Sequence, residues 1–295
     1  MPEDRISRII CNDLNVRAFT VTSHQTVAEI IRIHQTTPNA TYALGRSVTA
    51  GALLGATLKP ESRQSIVLKF FGDGPIREVH VQADAAGNVR GYVANPEPDL
   101  AEDLGGINFS RAIGAGFISV IKDLGMKEPY TSTMPLVYGD VAGDVSYYLA
   151  ASEQVPSALI IALELDREGA VSASGGILIQ TFPETEQGVI DRVDEKIRNM
   201  PASLGEHLLN GRDIHAVLSE LLDNRPVDIL AQGPLRASCR CSREMLVPVL
   251  MGLEREELQD MIEKDGGAEV VCTFCRNVYR FTEDDLRGFM KERIH

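Results

Sequence analysis

Four cysteines near the end of this 295-residue chain constrain its fold more than any other feature. Cys239 and Cys241 are separated by one residue. After 30 further residues come Cys272 and Cys275, which are separated by two. Zinc prefers four tetrahedral thiolate or imidazole ligands, usually supplied as two close pairs that the fold brings together. The spacing therefore predicts a four-cysteine site for Zn²⁺.

The cysteine distribution and the apolar segments bear on the compartment. Four of the five cysteines fall within the last 57 residues. In a reducing compartment such a cluster more often binds metal or does redox chemistry than forms permanent disulfides. The N-terminus has no cationic stretch followed by an apolar run, and the longest aliphatic run, Ala158 to Leu163, is too short to cross a bilayer. These features predict a cytoplasmic protein that does not bind membranes. Cys11 is expected to be a buried strand residue.

The first 182 residues alternate strand-like and helix-like segments. Val16 to Thr22 predicts a strand, and Thr26 is expected to cap a helix that stops before Pro38. Thr41 to Leu58 is rich in small residues that would let it pack closely against a sheet. Further strands are predicted within 65–95, 117–136 and 158–182, and a helix at 140–154. Runs of strands broken by a few helices predict an α+β domain of mainly antiparallel sheet over residues 1–182.

Residues 183–231 are predicted to form a helical linker. Prolines and glycines break this region into short helices, which are marginal in water unless their apolar stripe packs against something. The region is either a plain helical connector or a segment that can be released to expose its stripes. The stripes are Val189, Ile190, Val193, Ile197 and Met200, followed by Ile214, Val217, Leu218, Leu221 and Leu222.

Residues 232–295 are predicted to form a small C-terminal zinc-binding domain. Thr282 is expected to cap its last helix, which carries Leu286 and Phe289. A unit of this size seldom gains more than about 3–5 kcal/mol from its own core. Structural zinc contributes roughly 10–16 kcal/mol in small peptides. The domain is therefore expected to be folded with zinc and largely unfolded without it.

The four sulfurs are also candidate targets for oxidants. Zinc bound by four thiolates carries a local charge of about −2, and the thiolate is the form that peroxide attacks. Cys239 with Cys241, and Cys272 with Cys275, can then form disulfides as zinc leaves. The site is either purely structural or an oxidation-sensitive switch. The neighbouring arginines either offset the charge or form an ordinary solvated face. They are Arg236, Arg240, Arg243 and Arg276.

Motifs along the whole chain resemble one family, in the same order. The N-terminal motifs are Gly45-Arg46, Thr57-Leu58-Lys59, Gly72-Asp73-Gly74-Pro75 and Val89-Arg90-Gly91-Tyr92. Those that follow are Tyr147-Tyr148-Leu149, Ser152-Glu153-Gln154, Pro156-Ser157, Gly175-Gly176 and Gln180. The tail adds Cys239-x-Cys241-Ser242-Arg243-Glu244 and Cys272-x-x-Cys275 with Tyr279 and Phe281. Together they resemble the redox-regulated 33 kDa heat-shock chaperonin family of bacteria.

The resemblance implies an ATP-independent holdase rather than an enzyme. It implies that the reduced, zinc-bound form is inactive. Oxidation, aided by heat or another unfolding stress, forms the disulfides Cys239–Cys241 and Cys272–Cys275 and releases zinc. The middle region then loosens and unfolding client proteins bind. The active form is expected to be a homodimer that passes its clients to ATP-dependent refolding chaperones.

Two positions depart from the expected pattern. Ala237 stands two residues before the first cysteine, where the family often has an aromatic residue. Arg276 stands just after Cys275, where zinc knuckles often place glycine. Either difference is expected to change how tightly zinc is held, but neither changes the ligand set.

Two other classes of function compete with the holdase. A zinc ribbon that binds nucleic acid needs a basic stripe, yet the chain carries a net charge of −13 and residues 232–295 a net −2. No nucleic-acid partner is therefore expected. A hydrolase is disfavoured because the chain lacks a phosphate loop, a GxSxG elbow and an HExxH motif. A thiol oxidoreductase is disfavoured because Cys272-Thr273-Phe274-Cys275 lacks the βαβ setting in which a thioredoxin-like motif opens a helix. The six histidines show no ligand spacing to the cysteines and are interpreted as structural or surface residues.

Overall fold

The computed structural model describes residues 3–100 and 108–292, which form two compact units. The first unit ends at Ser238 and the second begins at Cys239. The predicted boundary at residue 232 therefore falls inside the last strands of the first unit. Among the helices of the described ranges, none combines the length and the apolar composition needed to cross a membrane.

The described strands of the first unit form two mainly antiparallel sheets. The five-stranded sheet has the order β10-β1-β2-β9-β8. Its strands are β1 (Arg5–Cys11), β2 (Val16–Thr22), β8 (Ser157–Leu165), β9 (Val171–Thr181) and β10 (Asp228–Pro234). The six-stranded sheet has the order β11-β5-β4-β3-β6-β7, and only the short β11 pairs in parallel. Its strands are β3 (Ser65–Gly72), β4 (Glu78–Asp84), β5 (Asn88–Val93), β6 (Gly116–Asp123), β7 (Tyr130–Pro135) and β11 (Arg236–Ala237).

Helix α2 (Pro38–Ala56) packs against strands of both sheets and is buried along almost its whole length. Its small residues permit this, as the sequence predicts. A Cβ atom on Gly51 would lie 2.5 Å from Cγ1 of Val81, and one on Gly45 would lie 2.8 Å from Cδ2 of Leu163. The other helices of this part of the unit are α1 (His24–His34), α3 (Phe109–Ile113) and α4 (Val141–Ala151).

Three short helices of the middle region share a second apolar core with the five-stranded sheet. They are α5 (Val189–Arg198), α6 (Leu204–Leu209) and α7 (Ile214–Leu221). Val193, Val217 and Leu218 are buried against sheet residues such as Ile9 and Ile177. Both predicted apolar stripes are therefore docked in this structure, and Cys11 is buried in the same core, as expected.

Two details of the sequence interpretation are wrong. Thr26 does not cap α1, because the helix begins at His24 with Ser23 at the N-cap position. Thr26 instead lies in the first turn, where its backbone N–H donates to the Asp4 carboxylate at 2.7 Å. The end of the middle region is not helical, because Asp228–Pro234 forms β10 and pairs with β1.

The second unit surrounds a small core. It contains α8 (Arg243–Met251), α9 (Arg255–Asp260), a π-helical turn (Met261–Asp265), β12 (Gly267–Val271), β13 (Val278–Thr282) and α10 (Glu283–Glu292). Thr282 caps α10 as predicted, since its hydroxyl accepts from the Asp285 N–H while the Asp285 carboxylate accepts from the Thr282 N–H. Five apolar side chains in the described part of this unit are fully buried: Leu250, Leu258, Ile262, Phe281 and Leu286.

Candidate metal centre

The second cysteine pair lies in the tight turn of a β-hairpin. Cys272 directly follows β12, its N–H donates to the carbonyl of Asn277 at 2.9 Å, and its carbonyl accepts from the Arg276 N–H at 2.9 Å. Arg276 has φ +60°, a left-handed conformation that costs a residue with a Cβ roughly 1–2 kcal/mol. This explains why a glycine is common at the position, and it identifies Arg276 as a point of local strain.

The first cysteine pair lies in the segment that leads into α8. Ser242 directly follows Cys241 and caps this helix, because its hydroxyl accepts from the Met245 N–H at 3.4 Å. Arg243, in the first turn, donates to the Asp285 carboxylate at 2.7 Å and lies over the ring of Phe281. The start of α8 is thereby tied to β13 and α10, and one of the four arginines near the sulfurs has a specific structural partner.

The four sulfur atoms converge, and all lie within 4.8 Å of one another. Two close sulfur–sulfur distances join the two segments: 3.7 Å from Cys239 to Cys272 and 3.3 Å from Cys241 to Cys275. A tetrahedral zinc with bonds of about 2.3 Å separates its sulfur ligands by about 3.8 Å. The cluster therefore fits a tetrahedral thiolate site, and the four half-buried cysteines supply the soft ligands that such a metal prefers.

Burial also governs the protonation of the metal-free sulfurs. It raises the pKa of the Cys241 thiol and that of the Cys275 thiol above the ordinary cysteine value. Without a metal these two groups therefore remain protonated at neutral pH. A metal ion that binds here must displace their protons, which makes its affinity fall as the pH falls.

Tyr279 is a neighbour of the sulfurs whose role the spacing alone does not predict. Its ring packs on the small core, and its hydroxyl lies 3.1 Å from Sγ of Cys241 and 3.0 Å from the Cys241 carbonyl, so that its single proton is shared between these two acceptors. The same contact with Cys241 raises the pKa of Tyr279 to about 12. The available signal in the sequence is the alternation of β13, which places Tyr279 on the same strand face as the buried Phe281.

Comparisons with known proteins agree with this architecture. Residues 4–282 match the family model described as Hsp33 protein. A 33 kDa chaperonin of Citrifermentans bemidjiense is 41% identical over 98% of this chain and 97% of its own length. One from Geobacter sulfurreducens is 42% identical over 96% of this chain and 93% of its own. The crystal structure of the Hsp33 homologue from Thermotoga maritima superposes with a TM-score of 0.89, at 33% identity and 99% coverage of both chains.

The shared fold, the tail with four converging cysteines and the relatives' common name define a molecular chaperone. Within that class, the chain belongs to the Hsp33 family.

Proposed function

We propose that the protein is an ATP-independent holdase that oxidation switches on. In the reduced state Cys239, Cys241, Cys272 and Cys275 hold Zn²⁺ and the chaperone is inactive. The proposal rests on one observation above all. Four sulfurs lie within 4.8 Å of one another on a unit whose described core has only five buried side chains, in a chain of a chaperone family. Zinc, when bound, supplies the cross-link that this core is too small to replace.

The pairing of the disulfides decides what oxidation does to the unit. A disulfide between Cys239 and Cys272, or between Cys241 and Cys275, would keep the two segments stapled together. Disulfides within each pair, Cys239–Cys241 and Cys272–Cys275, remove every sulfur-mediated link between the segments. We therefore infer that within-pair closure is the event that loosens the unit, although sulfurs of different pairs also lie 3.7 Å and 3.3 Å apart.

The chemistry balances with a hydroperoxide as the oxidant. One thiolate attacks the peroxide, forming a sulfur–oxygen bond as the oxygen–oxygen bond breaks and hydroxide leaves. Its neighbour then attacks the sulfenic sulfur, forming the disulfide and releasing a second hydroxide. Each disulfide costs two sulfur electrons and consumes one peroxide, so the whole cluster consumes two. A reducing cytoplasm keeps the cluster in its starting state.

Release of the middle helices would provide surface for clients. Helices α5–α7 bury their stripes on the five-stranded sheet, so undocking them exposes apolar residues of both partners, such as Leu218 and Ile177. Large exposed apolar patches are typical of surfaces that bind proteins. We infer that unfolding client proteins bind there, that the active form is a homodimer, and that clients pass to ATP-dependent refolding chaperones.

Light scattering by a heat-denatured test enzyme measures the proposed activity. Protein treated with peroxide at mild heat should suppress the scattering, and reduced zinc-loaded protein should not. Peptide mapping of the active sample should find Cys239 joined to Cys241 and Cys272 joined to Cys275. Equal suppression by both forms would reject the redox switch, and between-pair disulfides in an active sample would reject the proposed loosening.

A further inference from the structure

The surroundings of Cys241 differ from those of an ordinary thiolate ligand. The Tyr279 hydroxyl lies 3.1 Å from its sulfur, within the distance of a hydrogen bond to sulfur, and donates to it. The tyrosine is well fixed, because β13 pairs with β12 from Gly267 to Val271 and the ring packs against the core of the unit. Its hydroxyl also contacts the carbonyl of the same cysteine at 3.0 Å. The strand pairing, the core packing and the contact with the Cys241 carbonyl together hold the Tyr279 hydroxyl beside the Cys241 sulfur.

A hydrogen bond to a thiolate has two chemical consequences. It stabilises the negative charge on the sulfur, which makes that sulfur a weaker nucleophile toward an electrophile such as peroxide. It also orients the ligand, and the loss of an outer contact of this kind typically weakens metal binding roughly 10- to 100-fold. Both effects favour the reduced, metal-bound state of Cys241.

We propose that Tyr279 is a positioning residue that sets the oxidation threshold of the cluster by restraining Cys241. The inference rests on the proposed function, because it assigns the residue that tunes the same site. The reaction that it restrains is attack of the Cys241 sulfur on a hydroperoxide, in which the sulfur gives two electrons to the peroxide and hydroxide leaves. The hydroxyl acts through the cysteine and takes no part in bond making.

The substitution Tyr279→Phe tests the proposal with little change in packing, because it removes only the hydroxyl. In zinc-loaded full-length protein, iodoacetamide should alkylate Cys241 roughly three- to tenfold faster, the size expected for the loss of a hydrogen bond of typical net strength. The rate at Cys272 should stay near the wild-type value. Zinc affinity, measured by competition with a chromophoric chelator, should fall roughly tenfold.

A matched pair of variants separates the hydrogen bond from the fold. Replacing Tyr279 by 3-fluorotyrosine keeps the ring and strengthens the donor, so Cys241 should react more slowly than in the wild type. Tyr138→Phe, at an exposed tyrosine of the first unit, should leave all four rates unchanged. If Tyr279 only supported the fold, the reactivity of Cys241 would not change in opposite directions in the phenylalanine and fluorotyrosine variants.

Two results of the alkylation experiment would each overturn the proposal. An unchanged ratio of Cys241 to Cys272 reactivity in the Tyr279→Phe variant would overturn the proposal. An equal rise at all four cysteines would overturn it too, because it would mean a loosened unit rather than a released sulfur. These rates require no chaperone assay, so the inference can fail while oxidised wild-type protein still suppresses aggregation, and the reverse also holds.

Discussion

The two compact units of this protein are stabilised in different ways. The described residues of the first unit form two apolar cores, with 38 and 16 buried residues, and a central helix that packs against both sheets. The described part of the second unit buries only five apolar side chains. Hydrophobic stabilisation is proportional to the apolar area buried, so we expect the first unit to hold its own fold and the second to depend on the proposed cross-link at its sulfurs. Under the proposed function, the oxidation-sensitive site therefore lies in the unit with the smaller core, where the loss of one chemical group has the larger effect on stability.

The largest expected effect comes from removing the ligands. The double substitution Cys272→Ser and Cys275→Ser should abolish stable zinc binding and remove on the order of 10 kcal/mol of metal-linked folding energy. Limited proteolysis should then cut within residues 239–292 and leave the first unit intact. Cys11→Ala is the matched control, because this buried cysteine lies outside the cluster and its loss should leave the zinc content unchanged. If residues 239–292 of the double variant resisted the protease, the second unit would not depend on its sulfurs for its fold.

The next largest effect is expected from weakening the packing of helices α5–α7 against the five-stranded sheet. Leu218 is fully buried on α7, so Leu218→Ala should destabilise docking of the helices by about 2–5 kcal/mol. Hydrogen exchange of α5–α7 should accelerate, and suppression of aggregation should require less oxidant. Leu209→Ala, at a side chain that is 51% exposed, should change neither measurement. Similar behaviour of the two variants would show that docking does not gate activity.

A smaller effect concerns pH and the first unit. Burial, followed by the positive charges of Lys69 and Arg90, lowers the pKa of His80 to about 4. The fold therefore favours the neutral imidazole. The neutral imidazole therefore contributes to the free energy of unfolding. This contribution is fully present above about pH 6.5 and is lost as the pH falls toward 4.

Between pH 7 and pH 5 the loss should be about 1 kcal/mol after allowance for solvent screening. Chemical denaturation of the first-unit transition measures it, and His80→Gln should flatten the dependence. The same slope in the variant would show that another group controls the titration.

The smallest effect is expected from relieving the backbone strain at Arg276, beside the metal centre. Arg276→Gly should stabilise the zinc-loaded second unit by about 1 kcal/mol, because glycine adopts the observed left-handed φ without steric cost. Arg276→Ala is the control, since it removes the same charge but keeps the Cβ. Zinc competition should show tighter binding for the glycine variant only. Equal gains in both variants would assign the effect to charge rather than to the backbone.

Local chemistry explains which parts of the fold could be predicted. The strand Val16–Thr22 is confirmed, as are the cap at Thr282 and the close packing of the glycine-bearing helix α2, because each depends on neighbouring residues in the chain. The strand Asp228–Pro234 was missed because its partner β1 comes from the opposite end of the unit. No local pattern records such a pairing.

The metal centre is likewise predictable from the sequence only in part. The spacing of the cysteines predicts a shared site, and the structure does bring the four sulfurs together. It does not predict that close sulfur contacts also join the two pairs, or that Tyr279 donates to Cys241, because both depend on how the segment leading into α8 lies beside the hairpin. The identity of the bound metal and the pairing of the disulfides stay predictions.

Hydrogen exchange of the zinc-loaded protein, followed before and after peroxide treatment, tests the dependence of the second unit on its sulfurs most directly. Peptides from residues 239–292 should lose their protection as zinc is released, while peptides from α2 should keep theirs. Unchanged protection of residues 239–292 in fully oxidised, zinc-free protein would contradict it.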